Sequence, residues 1–310
     1  MPAGRPEMII VAGEALVDLT LGQTEELHAH PGGGPFNAAR TIARLGQPVT
    51  FLSRISNDRF GARLRAQLQA DGVALDAVVA TDDPTTLALA ELDEHGAASY
   101  RFYTDGTSAP GLDAQTALAA LPAALTAAHI GTLGLVLEPM AGALETVVEH
   151  LGSDVVVALD PNCRPLAIDD PPAYRARLAR MLRRADVVKV SEEDLAWLDP
   201  GRAPTDAARA LLSGGAAVAL MTRGSAGALI VTAQEEIDVA APQVEVVDTI
   251  GAGDAFGGAF LAWWVQRGLG RGDLSALERV REATAFACLV AALTCERAGA
   301  SPPHRTDLPA

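Results

Sequence analysis

Asp248-Thr249-Ile250-Gly251-Ala252-Gly253-Asp254-Ala255-Phe256-Gly257-Gly258 is the stretch from which the rest of the chain can be read. A mostly apolar run at 244–247 precedes it, and a stretch of helical character at 255–266 follows. Gly251 and Gly253 allow a tight turn in which successive N–H groups, that of Ala252 among them, point at one anion. Because the turn opens a helix, the positive end of the helix dipole adds to the same anion site. Asp254 stands at that helix start as an ionised carboxylate beside the anion. A carboxylate so placed is suited to accept a proton from a hydroxyl as a phosphoryl group arrives. A bare GxGD would be no more than a glycine turn capped by an aspartate; the seven-residue run DTIGAGD is far more specific.

Working outward, short apolar runs at 8–12, 155–159, 187–190 and 218–222 suit buried strands. Amphipathic or Ala-rich stretches at 37–45, 59–70, 114–120, 173–183 and 207–212 suit helices. The alternation predicts an α/β fold, a mostly parallel sheet covered by helices on both faces. Segments 85–91 and 98–103 flank Asp93-Glu94-His95-Gly96 and read as a hairpin, which with 15–21 would make a small separate sheet. With no internal repeat or low-complexity linker, residues 1–310 read as one domain carrying a β appendage from about 14–30 and 82–105.

Composition sets limits on function. A chain of 310 residues, 49% hydrophobic, can bury a full core, and with 4% aromatics that core must be built mainly from Ala, Val, Leu and Ile. A formal charge of -15 argues against a nucleic-acid partner, which needs clustered Lys and Arg. Cys163, Cys288 and Cys295 are too few and scattered for a disulfide framework or a zinc site. The start, Met1-Pro2-Ala3-Gly4-Arg5, lacks the apolar stretch of a signal peptide, and no run reaches the roughly 20 apolar residues of a membrane span. The expectation is a soluble cytoplasmic enzyme with no membrane partner. His28 and His30 share a strand face without a third ligand, Phe260, Trp263 and Trp264 read as packing, and the Arg-rich stretch at 175–184 reads as a solvated helix face.

A second glycine element, Gly32-Gly33-Gly34-Pro35-Phe36-Asn37-Ala38-Ala39, lets backbone approach a polyol, and Asn37 at a helix start can donate and accept hydrogen bonds. Upstream, Gly13-Glu14-Ala15-Leu16-Val17-Asp18 ends on a carboxylate able to accept from neighbouring hydroxyls. DTIGAGDAFGGAF and the glycine pair followed by Asn resemble the signatures of the ribokinase family, also called the PfkB carbohydrate kinases, and the likeness covers essentially the whole chain. It implies a three-layer αβα ribokinase-like fold with a small β-sheet lid and an ATP-dependent sugar kinase. By resemblance Asp254 is the catalytic base, Gly251, Ala252 and Gly253 form the anion hole, and Asp18, Gly33, Gly34 and Asn37 hold the acceptor.

The same resemblance assigns a nucleotide side. Thr222-Arg223-Gly224-Ser225-Ala226-Gly227 matches the family's T-x-G-x-x-G turn, with Thr222, Gly224 and Gly227 along the nucleotide. Cys288 stands on a late buried helix where relatives carry Asn or His. Lys189, the sole lysine, is placed to meet a phosphate oxygen. Ser191 and Asp194 replace the family's Asn-x-x-Glu pair, which is linked to magnesium and phosphate; Asp194 is the expected magnesium ligand, while a helix N-cap reading of the same pair stays open. Asp248 and Ile250 fall where several relatives bind a monovalent cation, potassium being the expected one.

For the acceptor, GEALVD, Arg101-Phe102-Tyr103, Leu137-Glu138-Pro139 and Asp160-Pro161-Asn162-Cys163-Arg164-Pro165 are similar to bacterial fructokinases. Phe102 would face the acceptor from the lid, Glu138 would contact it, and Arg164 would meet sugar or phosphate. Fructose is the first expectation, with 2-keto-3-deoxygluconate, ribose and nucleosides open, as is a non-catalytic sugar-binding protein of this fold. A Rossmann dehydrogenase is excluded, since no G-x-G-x-x-G follows the first strand. A homodimer through the lid sheet would cover its exposed edge.

Overall fold

The computed structural model describes residues 8–21, 26–92 and 98–309. The turn at 93–97, read as a hairpin tip, lies outside the described residues.

The elements run β1 (Ile9–Ala12), β2 (Leu16–Leu21), β3 (Leu27–Gly32), α1 (Gly34–Arg44), β4 (Val49–Ser56), α2 (Arg59–Ala70) and β5 (Val78–Thr81). They continue with β6 (Leu87–Leu92), β7 (Ala98–Tyr103), α3 (Ala114–Ala119), β8 (Ala127–Gly131), α4 (Met140–His150) and β9 (Val156–Asp160). The last third is α5 (Pro171–Leu182), β10 (Val187–Ser191), α6 (Glu192–Leu198), α7 (Pro204–Leu212), β11 (Val218–Thr222), β12 (Ala228–Val231), β13 (Glu236–Val239), α8 (Ala252–Gln266) and α9 (Leu277–Cys295).

Nine strands form one sheet in the order β13-β12-β11-β10-β9-β8-β1-β4-β5. From β11 through to β5 the neighbours are parallel, and β12 and β13 add an antiparallel edge. The inner strands are buried on both faces, which is why IIVA, AAHIG and VVALD show no polar alternation. Alternate residues feed two separate cores. Ile9 and Val11 pack on the side of α1, α8 and α9, whereas Ile10 and Ala12 pack on the side of α3, α4 and α5. Small side chains let the helices close up. A Cβ on Gly258 of α8 would sit 2.7 Å from the Ala38 carbonyl oxygen of α1. Phe260 stacks on Trp264 at 5.7 Å within the core, as the packing reading expected.

The small sheet runs β3-β2-β6-β7. Its registers pair Asp18 with His30 and with Ala88, and Ala88 with Phe102. Directly opposed residues share a face, so Asp18 and Phe102 look the same way. That face meets the main body through Leu16, Ala88 and Leu133, with Phe102 packed against them. Val17 and Leu19, on the other face, join the core that includes Phe60 of α2.

The chain passes from β1 to β4 and β5 on one side, then to β8, β9, β10 and β11 on the other. The order therefore reverses between β1 and β8, and in open α/β sheets ligands sit outside the strand carboxyl ends at such a reversal. The run at 244–247 is an exposed loop, with Val246 and Val247 59% and 62% exposed, tied to the end of α9 through the Cys295 carbonyl. The arginines at 175–184 are only in part a solvated face: Arg180 and Arg183 are exposed, but Arg175 binds the Trp197 and Leu198 carbonyls, Arg177 pairs with Glu138, and Arg184, just after α5, binds the Gly152 and Val155 carbonyls. Among the described residues no helix is long and apolar enough to cross a membrane.

Candidate active site

Two helix N-termini converge at the reversal. Helix α8 opens at Gly251, whose φ of 78° is left-handed, and helix α1 opens after Gly33, whose φ is 112°. Both conformations favour glycine, and a Cβ on Gly33 would lie 2.7 Å from the Glu14 carbonyl oxygen. A Cβ on Gly34 would collide with Thr132 Oγ1 and lie 3.2 Å from Asp254 Oδ1, so this position leaves open the space in front of the carboxylate.

Asp254 is 9% exposed in the first turn of α8. Asn37 Nδ2 donates to its Oδ2 at 2.9 Å, linking residues 217 apart. Burial pushes the Asp254 carboxyl above its ordinary range, and the Asn37 hydrogen bond with the charges of Lys189 and Arg164 pulls it back. Asn37, 6% exposed, leaves its own Oδ1 buried without a partner, an acceptor able to receive a ligand hydroxyl. Asp18 lies against Gly32, where any side chain would strike its Oδ2. Burial pushes Asp18 up to about 6, Asp254 adds to the rise, and Arg164 opposes it.

Beneath α8, Lys189 in the middle of β10 forms a buried ion pair with Asp160 at 3.1 Å. Burial lowers Lys189, but Asp160, Asp194 and Asp254 more than offset it and hold the ammonium above its usual range. A Cβ on Gly253 would sit 3.0 Å from Nζ, which places the charge directly under the glycine turn. Lys189 thus reaches the region expected of it, with Asp160 as its partner. Gly257 leaves room for the fully buried His129 ring, held neutral because burial pushes it down to about 4.

Ser191 and Asp194 form a capping box on α6, the helix-cap alternative of the sequence reading. Asp194, expected at magnesium, instead gives Oδ2 to the Ser191 N–H at 2.8 Å and Oδ1 to the Cys163 N–H at 2.6 Å. Among the described residues no group of three or more His, Cys, Asp or Glu is placed to hold a metal ion. Asp248 is also engaged, accepting from Ile250 N–H at 3.0 Å and Gly299 N–H at 2.8 Å, which joins the 248–250 turn to the one after α9.

Thr222 lies beside Ser191 in the β10–β11 ladder, and Gly224 and Gly227 make the turn that follows. A Cβ on Gly227 would collide with the Val239 carbonyl. Cys288, expected to touch nucleotide, is a 3% exposed core residue whose thiol burial pushes up to about 11. Glu138 does not stand free for an acceptor. Its carboxylate pairs with Arg177 and accepts from Gly142 N–H at 3.1 Å, fixing the start of α4. Arg164 is joined to the site, its charge acting on both Asp18 and Asp254.

Sequence reasoning missed four residues. Glu14 is fully buried and accepts from Gly34 N–H at 3.1 Å and Gly134 N–H at 2.9 Å, pinning both loops that flank Asp254; burial pushes it up to about 8 against those amides. Its only signal was its place in GEALVD. Thr132, at φ 57°, and Asn162, at φ 36°, are the non-glycine residues with positive φ among those described, and Asn162 Nδ2 donates to Thr132 Oγ1 at 3.4 Å. Such strain gathers where surrounding structure imposes it, as at binding sites. The fourth, Asp160, carries no local signature; Lys189 defines it.

The pfkB family carbohydrate kinase model matches residues 7–307. A fructokinase of Rhizobium leguminosarum bv. trifolii is 36% identical over 261 residues, 82% of this chain and 79% of the relative. A crystal structure of a Xylella fastidiosa fructokinase with bound ATP superposes with a TM-score of 0.87 at 26% identity, covering 98% of this chain and 95% of that one. A Vibrio cholerae O395 fructokinase double mutant, bound to fructose, ADP and potassium, superposes at 0.83 with 25% identity over 96% of this chain and 95% of that one. With a family match of that extent and the ribokinase-like architecture around Asp254, the chain belongs to the pfkB family of carbohydrate kinases, phosphotransferases acting on a sugar hydroxyl.

Proposed function

We propose that this chain transfers the γ-phosphoryl group of ATP to a primary hydroxyl of fructose, with Asp254 as the base. The observation that carries the reading is the buried Asp254 carboxylate, oriented by Asn37 at the mouth of the glycine turn that opens α8. The nucleotide lies along the turn after β11, with Thr222, Gly224 and Gly227 beside it and its transferring phosphate over the amides of Gly251, Ala252 and Gly253. Asp18, Gly33, Gly34 and Asn37 hold the sugar. The small sheet covers it as a lid, with Phe102 on the covering face and water excluded from the site.

The chemistry asks little of covalent catalysis and much of placement. The hydroxyl of the sugar attacks phosphorus in line, its proton passes to Asp254, and ADP leaves. A base made more basic by burial suits that transfer near neutral pH. Charge on the transferring phosphoryl oxygens is met by oriented amides, by the α8 dipole and by the Lys189 ammonium beneath them. Magnesium accompanying ATP is not given a protein cage by this reading. A monovalent cation would sit where the 248–250 turn meets the turn after α9, the pair of turns that Asp248 ties together. Pairing of two copies through the small sheet would cover its edge strands, where Leu27 and Tyr103 are exposed.

The test is ADP release with magnesium and ATP against fructose, ribose, 2-keto-3-deoxygluconate, adenosine and fructose 6-phosphate. Preference for fructose is expected, and Asp254→Asn should lower kcat about 10²-fold or more while sugar binding persists. Preference for another acceptor discards fructose, and near-normal turnover of Asp254→Asn discards the base.

A further inference from the structure

The Ser191–Asp194 pair sits where the family resemblance puts a metal-linked pair, yet its contacts lead elsewhere. Asp194 is 5% exposed, and each carboxylate oxygen is taken by a backbone N–H. One is its own helix cap, at Ser191. The other, Cys163 N–H at 2.6 Å, belongs to the loop that leaves β9, 31 residues earlier in the chain.

That loop is a hub. Asp160, the last residue of β9 from which it leaves, is the partner of Lys189. Pro161 accepts from the Tyr174 hydroxyl of α5 at 3.4 Å. Asn162 adopts φ 36° and reaches Thr132, and Arg164 Nη1 folds back onto Asn162 Oδ1 at 2.7 Å and the Cys163 carbonyl at 3.2 Å. The Cys163 amide therefore lies between a strained residue and the arginine whose charge acts on Asp18 and Asp254. A turn held at positive φ by a non-glycine residue relaxes unless something over-determines it. A carboxylate suits this, because it alone accepts at two oxygens at once; an amide must turn a donor toward one of the two N–H groups.

We propose that Asp194 is a positioning residue that clamps the 160–164 loop and so aims Arg164 at the acceptor site, and that it is not a magnesium ligand. The inference deepens the sugar-kinase reading and rests on it for its kinetic consequences; the clamp itself stands on the hydrogen bonds.

The experiment uses the full-length protein and two variants, Asp194→Asn and Asp194→Glu. Glutamate is the family's usual residue here, so a metal ligand would tolerate or improve on it. The clamp would not: a Glu at N3 can still cap the Ser191 N–H, but its longer arm should give up the Cys163 N–H, now held at 2.6 Å. The expected result is an acceptor KM raised about 10-fold or more in both variants, the scale of a lost charge-assisted bond. The free magnesium concentration giving half-maximal rate at fixed nucleotide should stay unchanged. Arg164→Gln should raise the acceptor KM likewise, and the double variant Asp194→Glu/Arg164→Gln should be little worse than either single change. Hydrogen exchange at the Cys163 amide supplies a readout independent of turnover: slow in the parent, at least 10-fold faster in the variants. A shifted magnesium requirement with unchanged acceptor KM would overturn the proposal, as would unaltered exchange at Cys163. A parent protein with no turnover would overturn the kinase reading, while the exchange result would still decide the clamp. If Asp194→Asn fails to fold, Asp194→Glu carries the same measurements.

Discussion

Replacing Asn37 with alanine removes the hydrogen bond that orients Asp254 and leaves the surrounding helix starts in place. The bond is 2.9 Å long, buried, and made to a carboxylate, so its net worth is that of a charge-assisted bond, about 1.5–3 kcal/mol. It favours the ionised base, and its loss drives the Asp254 carboxyl further in the direction burial already pushes it. At a pH below the acid limb of the kcat/KM profile, that energy converts to about 10- to 150-fold less ionised base. Well above the limb the base is ionised in both proteins, and most of the loss should vanish there. The assay is coupled ADP release with a saturating nucleotide, acceptor varied, from pH 5 to 9. The expected signature is an acid limb displaced to higher pH. In the proposed function the partnerless Asn37 Oδ1 also receives the acceptor, so some loss should persist at all pH. A uniform loss with an unmoved limb would refute the orientation of the base by Asn37 and leave only a binding role.

Two further outcomes follow from the geometry. Gly34→Ala puts a methyl onto Thr132 Oγ1 and within 3.2 Å of Asp254 Oδ1; with a displacement of about 1 Å at the reacting groups, kcat should fall about 100-fold, and parity with the parent would show that this space is not used. Thermal stability should decline between pH 6.5 and 8. A carboxyl whose folded pKa exceeds its unfolded one binds more protons when folded, so its contribution is lost as pH rises, and for Glu14 that window runs from 4.5 to about 8. His129, lowered from 6.5 to about 4, acts oppositely but only below 6.5, and Asp18 and Asp160, at about 6, are largely spent by then. Asp254 has the same sign as Glu14, so Glu14→Gln should shallow the decline in Tm rather than abolish it; an unchanged slope would remove Glu14 from the account.

What could be read in the sequence was what local geometry enforces. The glycine turns at 32–34 and 251–253 need their residue types wherever they are folded, and each opens a helix, so Asp254 was legible from its own motif and Asn37 once the first glycine run was paired with the second. Their meeting across 217 residues was not, although the family resemblance implied it. Glu14 and Asp160 escaped notice because each acts through partners remote in the chain, Gly134 and Lys189, and a carboxylate at a strand end looks the same with or without them. Strand β4, VTFLSRIS, was missed because Thr, Ser and Arg interrupt its apolar run, yet it is buried since helices cover both faces. The arginines at 175–184 were misread in part, for the converse reason. Helical spacing places them on a face, but only the fold supplies the carbonyls and Glu138 that they bind.

The electrostatics of the site explain how so acidic a chain can hold a phosphate. Asp254 acts on Glu14, Asp18 and Asp160, and Asp194 acts on Asp160 as well; the cations that oppose them are Lys189 and Arg164. Lys189 is already paired with Asp160, and Arg164 is shared between Asp18 and Asp254. Side-chain charge alone therefore leaves little to neutralise a transferring phosphoryl group. The amides of the glycine turn and the α8 dipole carry no proton to lose and no counter-ion to release, and being fixed they need no reorganisation when charge develops. Such an anion site can stand beside a carboxylate base, because the base sees Asn37 and the cations while the phosphate sees the helix end. In the proposed mechanism that separation starts at the left-handed Gly251, where α8 opens, and Asp254, three residues on, meets Asn37.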